Sequence, residues 1–117
     1  MGTNRRKYKR LFTNLPIEYV DVERFYADRF SNFSAGGAMV FTVRPMSKDK
    51  KISIQFIVPS FETHPIQVIA QIIRKHPLGM GIQFDSNNLE VIRFLDQFVT
   101  VTIALKILDE KIPNEGL

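Results

Sequence analysis

Ile52-Ser53-Ile54-Gln55-Phe56-Ile57-Val58 places Ile52, Ile54, Phe56 and Val58 on one face of an extended chain and Ser53 and Gln55 on the other. Successive side chains of a strand point to opposite sides, so this period of two reads as a strand with one face in a core. The pattern repeats on both sides of it. After a break from Pro59 to Pro65, Ile66 to Arg74 turns Ile66, Val68, Ala70 and Ile72 inward and Gln67 and Gln71 outward. Lys75-His76-Pro77-Leu78 then turns the chain into Gly79-Met80-Gly81-Ile82-Gln83-Phe84, a further strand. On the N-terminal side, the polar loop Ser47-Lys48-Asp49-Lys50-Lys51 follows a strand over Ala38 to Val43 that Pro45 ends.

Earlier still, Ser31-Asn32-Phe33-Ser34-Ala35-Gly36-Gly37 is a cluster of small and polar residues and reads as a tight turn. The aromatic and β-branched run from Val22 to Phe30 reads as a strand of unclear register. Leu11 to Val20 alternates at Leu15, Ile17 and Tyr19 and is entered through an extended step at Pro16. Six short strands joined by turns fold naturally into a β-barrel.

The last third changes period. Val91, Phe94 or Leu95, Phe98 and Val101 or Thr102 recur at helical spacing, and Asn87 with Glu90 three residues on has the form of a capping box. Val99-Thr100-Val101-Thr102-Ile103 also alternates like a strand. A barrel with an open end needs a cover, which favours a helix from about Leu89 to about Lys106. The expected organisation is a basic arm over 1–10, barrel plus helix over 11–108 and a tail over 109–117.

Composition narrows the function. The chain has 117 residues, 44% of them apolar and ten of them Phe, enough for one domain with a real core. Cysteine is absent, which removes disulfides, thiolate nucleophiles and cysteine zinc sites. No apolar run approaches the roughly eighteen residues of a membrane span, and no secretory leader pattern is present, so a cytoplasmic protein without membrane insertion is expected. His64 and His76 each precede a proline in a turn, Ser34 lies outside any GxSxG elbow, and the acids are scattered. No catalytic residue, metal ligand or cofactor site is therefore assigned, and an enzyme is not expected.

The charge is local. Arg5-Arg6-Lys7-Tyr8-Lys9-Arg10 holds five of the sixteen Lys and Arg residues, so the net +4 is +5 from this head and −1 from the other eleven bases and twelve acids. A solubilising tail is one reading of such a run; a binding arm that needs a concentrated anion is the other. Arg6 to Arg10 matches RxxxR, and Asn32-Phe33-Ser34-Ala35-Gly36-Gly37, about twenty residues downstream, matches [D/N]xSxxG. With Gly79 to Phe84 as a GxGxxF strand, the order and separation of these motifs resemble the PilZ domain, a bacterial family whose members bind cyclic di-GMP.

The resemblance covers the chain from about Arg5 to the start of the helix. It implies a six-stranded antiparallel barrel with a C-terminal helix, in agreement with the element count. It also implies that Arg6 and Arg10, with Arg5 as auxiliary, contact guanine and phosphate, that Asn32 and Ser34 hydrogen-bond the ligand, and that Gly37 lets the backbone approach it. Arginine suits the task because its planar guanidinium meets guanine O6 and N7, or phosphate, bidentately. Many members carry Asp where this chain has Asn32, which accepts a guanine N–H without charge assistance. In a receptor of this kind the arm orders around the ligand and alters a surface read by another protein, or by a second copy in a homodimer.

Two rivals remain. A PilZ-like adaptor that works by protein contact alone would be marked by loss of the arginines, which are present. A small barrel binding single-stranded nucleic acid would interleave bases with aromatics across several strands, whereas here the positive charge is confined to one arm.

Overall fold

The computed structural model describes residues 8–58, 65–85, 87 and 89–111. Seven strands precede one helix: β1 (Leu11–Phe12), β2 (Pro16–Val20), β3 (Phe25–Phe33), β4 (Gly37–Phe41), β5 (Lys51–Phe56), β6 (Ile66–His76), β7 (Gly79–Phe84) and α1 (Leu89–Lys111). Six of them close a ring in which every contact is antiparallel, running β2, β3, β4, β7, β6, β5 and back to β2. The two-residue β1 lies outside the ring on β3, with Leu11 opposite Phe33. Closure pairs both sides of every strand in the ring and leaves no long edge to recruit another chain.

The alternation in β5 and β6 is realised as expected: Ile52, Ile54, Phe56, Val58, Ile66, Ala70 and Ile72 are buried. Leu95, Phe98 and Val99 of α1 are buried with the barrel core, and Phe98 stacks on Phe33 at 5.9 Å between ring centroids. Burial of Val99 in that core settles the ambiguity of the Val99–Ile103 run in favour of helix, because packing overrides the modest helical reluctance of β-branched residues. The helix continues to Lys111 rather than ending near Lys106.

Further boundaries differ from the expectation: β4 ends at Phe41 and not Val43, β5 spans Lys51–Phe56 and not 52–58, and β6 runs on to His76, so the turn into β7 is only Pro77 and Leu78. The Leu11–Val20 stretch is two strands separated by residues 13–15, with Arg29 Nη1 donating to the Asn14 carbonyl beside the break. The next strand starts at Phe25 and not Val22, since Asp21 folds residues 21–24 into a turn by accepting the Glu23 and Arg24 amides at 2.7 and 2.8 Å. That strand also continues through Asn32 and Phe33, so the turn shrinks to residues 34–36 and Gly37 opens β4. Finally, α1 begins at Leu89, its preceding residue 88 lies outside the described residues, and the Asn87 amide is held by Asp85 Oδ1 at 3.0 Å.

The opposite region of the barrel carries a polar cluster. Tyr19 and Tyr26 stack at 5.0 Å, and the buried Tyr19 hydroxyl donates to Asp28 Oδ2 at 2.6 Å. Burial, reinforced by the Asp28 carboxylate, pushes the Tyr19 phenol well above its ordinary range, so it stays a donor throughout the physiological range. The Asp21 carboxyl is held down at about 2 by those two backbone amides, aided by Lys50 Nζ at 3.3 Å. A carboxyl depressed on folding stabilises the protein above its unfolded value of 3.8 and loses that contribution as the pH falls toward 2. Asp21→Asn is expected to flatten the acid limb of the stability curve between those values and leave the neutral-to-basic limb unchanged; an acid limb identical to the wild type in a pH series of urea melts would refute the assignment.

Candidate functional site

Arg10 of the arm and the Asn32–Gly37 motif meet at one place on the barrel. Arg10 Nη1 donates to Asn32 Oδ1 at 2.5 Å, tying the arm to the end of β3. Asn32 faces outward because of a register shift between Phe30 and Asn32 in the β3–β4 pairing. Strict alternation would turn Asn32 to the same side as the buried Phe30; the extra residue, Ser31, resets the phase so that Phe33 is buried again and Asn32 reaches the arm. A second shift, between Ile72 and Arg74 against β7, falls at Ile73, which ordinary alternation after the buried Ile72 already turns outward beside the same site.

Beyond Phe33 the turn is held by its own groups. The Ser34 amide donates to the Gly37 carbonyl at 2.8 Å, the Ser34 hydroxyl donates to the same carbonyl at 3.4 Å, and the Gly36 amide donates to Ser34 Oγ at 3.1 Å. Ser34 is only 5% exposed. In this state it shapes the turn, as Ser does in many tight turns, while Asn32 serves the arm. Gly37 pairs with Gln83 of β7, and a Cβ there would collide with the Ile82 carbonyl oxygen. The glycine is thus required by the close approach of two strands, with no appeal to an unusual backbone angle.

These parts border an open groove of about 420 Å3. Arg10 and the 34–37 turn form one side of it, and Ile73, Ile82, Gln83, Phe84 and Ile92 contribute the rest. Its volume lies in the range of small-molecule sites, which combine apolar walls with a few placed polar groups. Tyr8 also lines the groove, with its ring 3.2 Å from where a side chain on Gly36 would begin. Of the residues expected at the site, Arg10, Asn32, Ser34 and Gly37 are therefore brought together; Arg5 and Arg6 lie outside the described residues. The arm's last residues are part of the packed site and not a free tail. Tyr8 could have been noticed between Arg6 and Arg10, but Ile73, Gln83 and Ile92 are contributed by remote strands and the helix, and no local pattern marks them. Among the described residues no group of three or more His, Asp or Glu side chains could hold a metal ion.

A closed six-stranded antiparallel barrel covered by one C-terminal helix, with Tyr8 and Arg10 set against the 34–37 turn, is the architecture these residues build. The chain belongs to the PilZ domain family, whose pattern matches residues 4–100. Solved structures agree on the fold. The PilZ domain of CeSA from a cellulose-synthesizing bacterium is similar with a TM-score of 0.66 at 18% identity, over 80% of this chain and 97% of that one. The PilZ domain of YcgR from Escherichia coli, solved with c-di-GMP, gives 0.69 at 14% identity, over 93% and 100%. The Bacillus subtilis inhibitor of motility, MotI/DgrA, gives 0.72 at 19%, over 94% of this chain and 55% of that one. No curated protein sequence matches the chain. No helix among the described residues is long and apolar enough to cross a membrane.

Proposed function

We propose that this chain is a receptor for cyclic di-GMP, with no catalytic step of its own. The observation that carries the reading is the Arg10–Asn32 clasp, which holds a guanidinium over a groove bordered by the Ser34–Gly37 turn. An anionic cyclic dinucleotide offers the acceptors that suit this arrangement: phosphodiester oxygens and a guanine O6/N7 pair, both of which a guanidinium binds bidentately. Arg10 would exchange its neutral amide partner for these charged or paired acceptors, while Asn32 turns its amide to guanine N–H groups. Arg6 supplies the second guanidinium of the motif and Arg5 assists. Ser34 offers its hydroxyl, and Gly37 leaves room for the ligand beside β4.

Ligand capture redraws the surface around the arm, the turn and Ile92 of α1. A protein partner that reads this surface is the output. The E. coli neighbour solved with c-di-GMP and the B. subtilis neighbour named for inhibition of motility support a signalling role of this kind, and a cytoplasmic location accords with a soluble second messenger.

Calorimetric titration of the purified protein with cyclic di-GMP, with GTP as control, tests the reading. Saturable binding to cyclic di-GMP alone is expected; no heat at high micromolar ligand, repeated by a second method, would put the protein-contact adaptor in its place. Asn32→Asp adds charge assistance to the guanine contact and is expected to tighten binding by about three- to tenfold. Weaker binding by the Asn32→Asp variant would mean instead that the side chain at this position acts by restraining Arg10.

A further inference from the structure

The strand register draws a polar row across the outside of the barrel. Gly37 of β4 lies opposite Gln83 of β7, Gln83 opposite Gln71 of β6, and Gln71 opposite Lys51 of β5. Three inter-strand spacings separate the ends of this row, roughly 14 Å. A second groove of about 340 Å3 lies along it, bordered by Lys51, Gln71, Gln83, Asp85 and Asn87. Gln83 and Phe84 line both grooves, so the two adjoin at the end of β7.

We infer that the ligand groove continues past Gln83 into a subsite that reads a guanine edge through Asp85 and Gln83, with Lys51 at its far end. This rests on the cyclic di-GMP reading above. Asp85 is positioned before any ligand arrives: its amide donates to the Ile69 carbonyl at 2.8 Å and its Oδ1 accepts the Asn87 amide at 3.0 Å. The Gln71 amide is likewise steadied by Asp49 Oδ1 at 3.2 Å. A carboxylate at the mouth of an otherwise cationic site repels phosphate and demands donors. The Watson–Crick edge of guanine presents two adjacent donors, N1–H and N2–H, beside the O6 acceptor. Asp85 accepts from the first two, and the Gln83 amide donates to the third. Adenine turns its N1 lone pair toward the same carboxylate and is rejected. The phosphodiesters are left to Arg10 on one side and Lys51 on the other, so one dinucleotide spans both grooves with its second base at Asp85.

The test compares cyclic di-GMP and cyclic di-AMP on the wild type and on Asp85→Asn, Asp85→Glu, Gln83→Ala and Arg10→Ala. Asp85→Asn is expected to weaken cyclic di-GMP about tenfold while changing cyclic di-AMP by no more than about twofold, so that discrimination shrinks. Gln83→Ala acts in the same direction by a smaller factor, and Asp85→Glu keeps most of the preference because the carboxylate survives. If Asp85→Asn and Gln83→Ala both bind cyclic di-GMP like the wild type while Arg10→Ala does not bind, the receptor stands and the second subsite falls. If Asp85→Glu loses as much as Asp85→Asn, with a lowered melting temperature in both, the effect belongs to the 85–87 turn and the subsite falls. A wild type that binds neither dinucleotide overturns both readings.

Discussion

Arg10→Ala is expected to reduce affinity for cyclic di-GMP by at least about thirtyfold while leaving the fold intact. Removing one member of a hydrogen-bonded charge pair in a ligand site costs about 2–5 kcal/mol, because the partner's charge is left without its donor fork. Arg10 is the one motif arginine whose place on the groove the structure describes, and its anchor is the part-buried Asn32 amide at the end of β3. Thermal melts of the variant separate a loss of binding from a loss of fold. Arg10→Lys should fail to restore binding, since an ammonium keeps the charge but not the planar pair of donors. Titration of the two variants separates the possibilities: a lysine variant close to wild type would mean that Arg10 contributes charge alone, and an alanine variant close to wild type would remove Arg10 from the site.

Phe33→Ala is expected to be the most destabilising single truncation near the site, at about 3–5 kcal/mol. Phe33 is fully buried and joins three neighbours: it stacks on Phe30 at 5.2 Å and on Phe98 at 5.9 Å, and meets Phe56 edge-on at 5.9 Å. Its loss opens a cavity where barrel and helix meet, immediately behind Asn32 and Ser34. For a domain of this size that corresponds to a fall in melting temperature of roughly 10–20 °C. The same cavity loosens the turn, so binding should weaken as well, but through a site that is less often formed. A double-mutant cycle with Phe98→Ala should show coupling, because each truncation removes the other's stacking partner. Strict additivity, or a shift below a few degrees, would contradict this packing.

Much of this was legible without coordinates, and unevenly so. The buried faces of β5 and β6 follow from alternation alone, because a two-residue period admits only one way to bury Ile52, Ile54 and Phe56 together. The motifs bearing Arg10 and the Asn32–Gly37 turn are contiguous in sequence, so their chemistry could be read from residue types and their membership in the PilZ family from order and spacing. Helix and strand could not be separated over Val99–Ile103, where local propensity and periodicity disagree. The decision came from Val99, which finds a core only as part of a helix lying across the barrel end.

The tertiary structure also decided what a period of two forbids. The register shift at Ser31 breaks the alternation on β3 beside the groove and turns Asn32 outward to Arg10. Sequence by itself determined the strand character and inward faces of β5 and β6 and the charge of the arm, since these depend on neighbours along the chain. Which remote residues share the groove with Arg10, and whether Asn32 faces it at all, depended on cross-strand register and barrel closure, which no local stretch of sequence encodes.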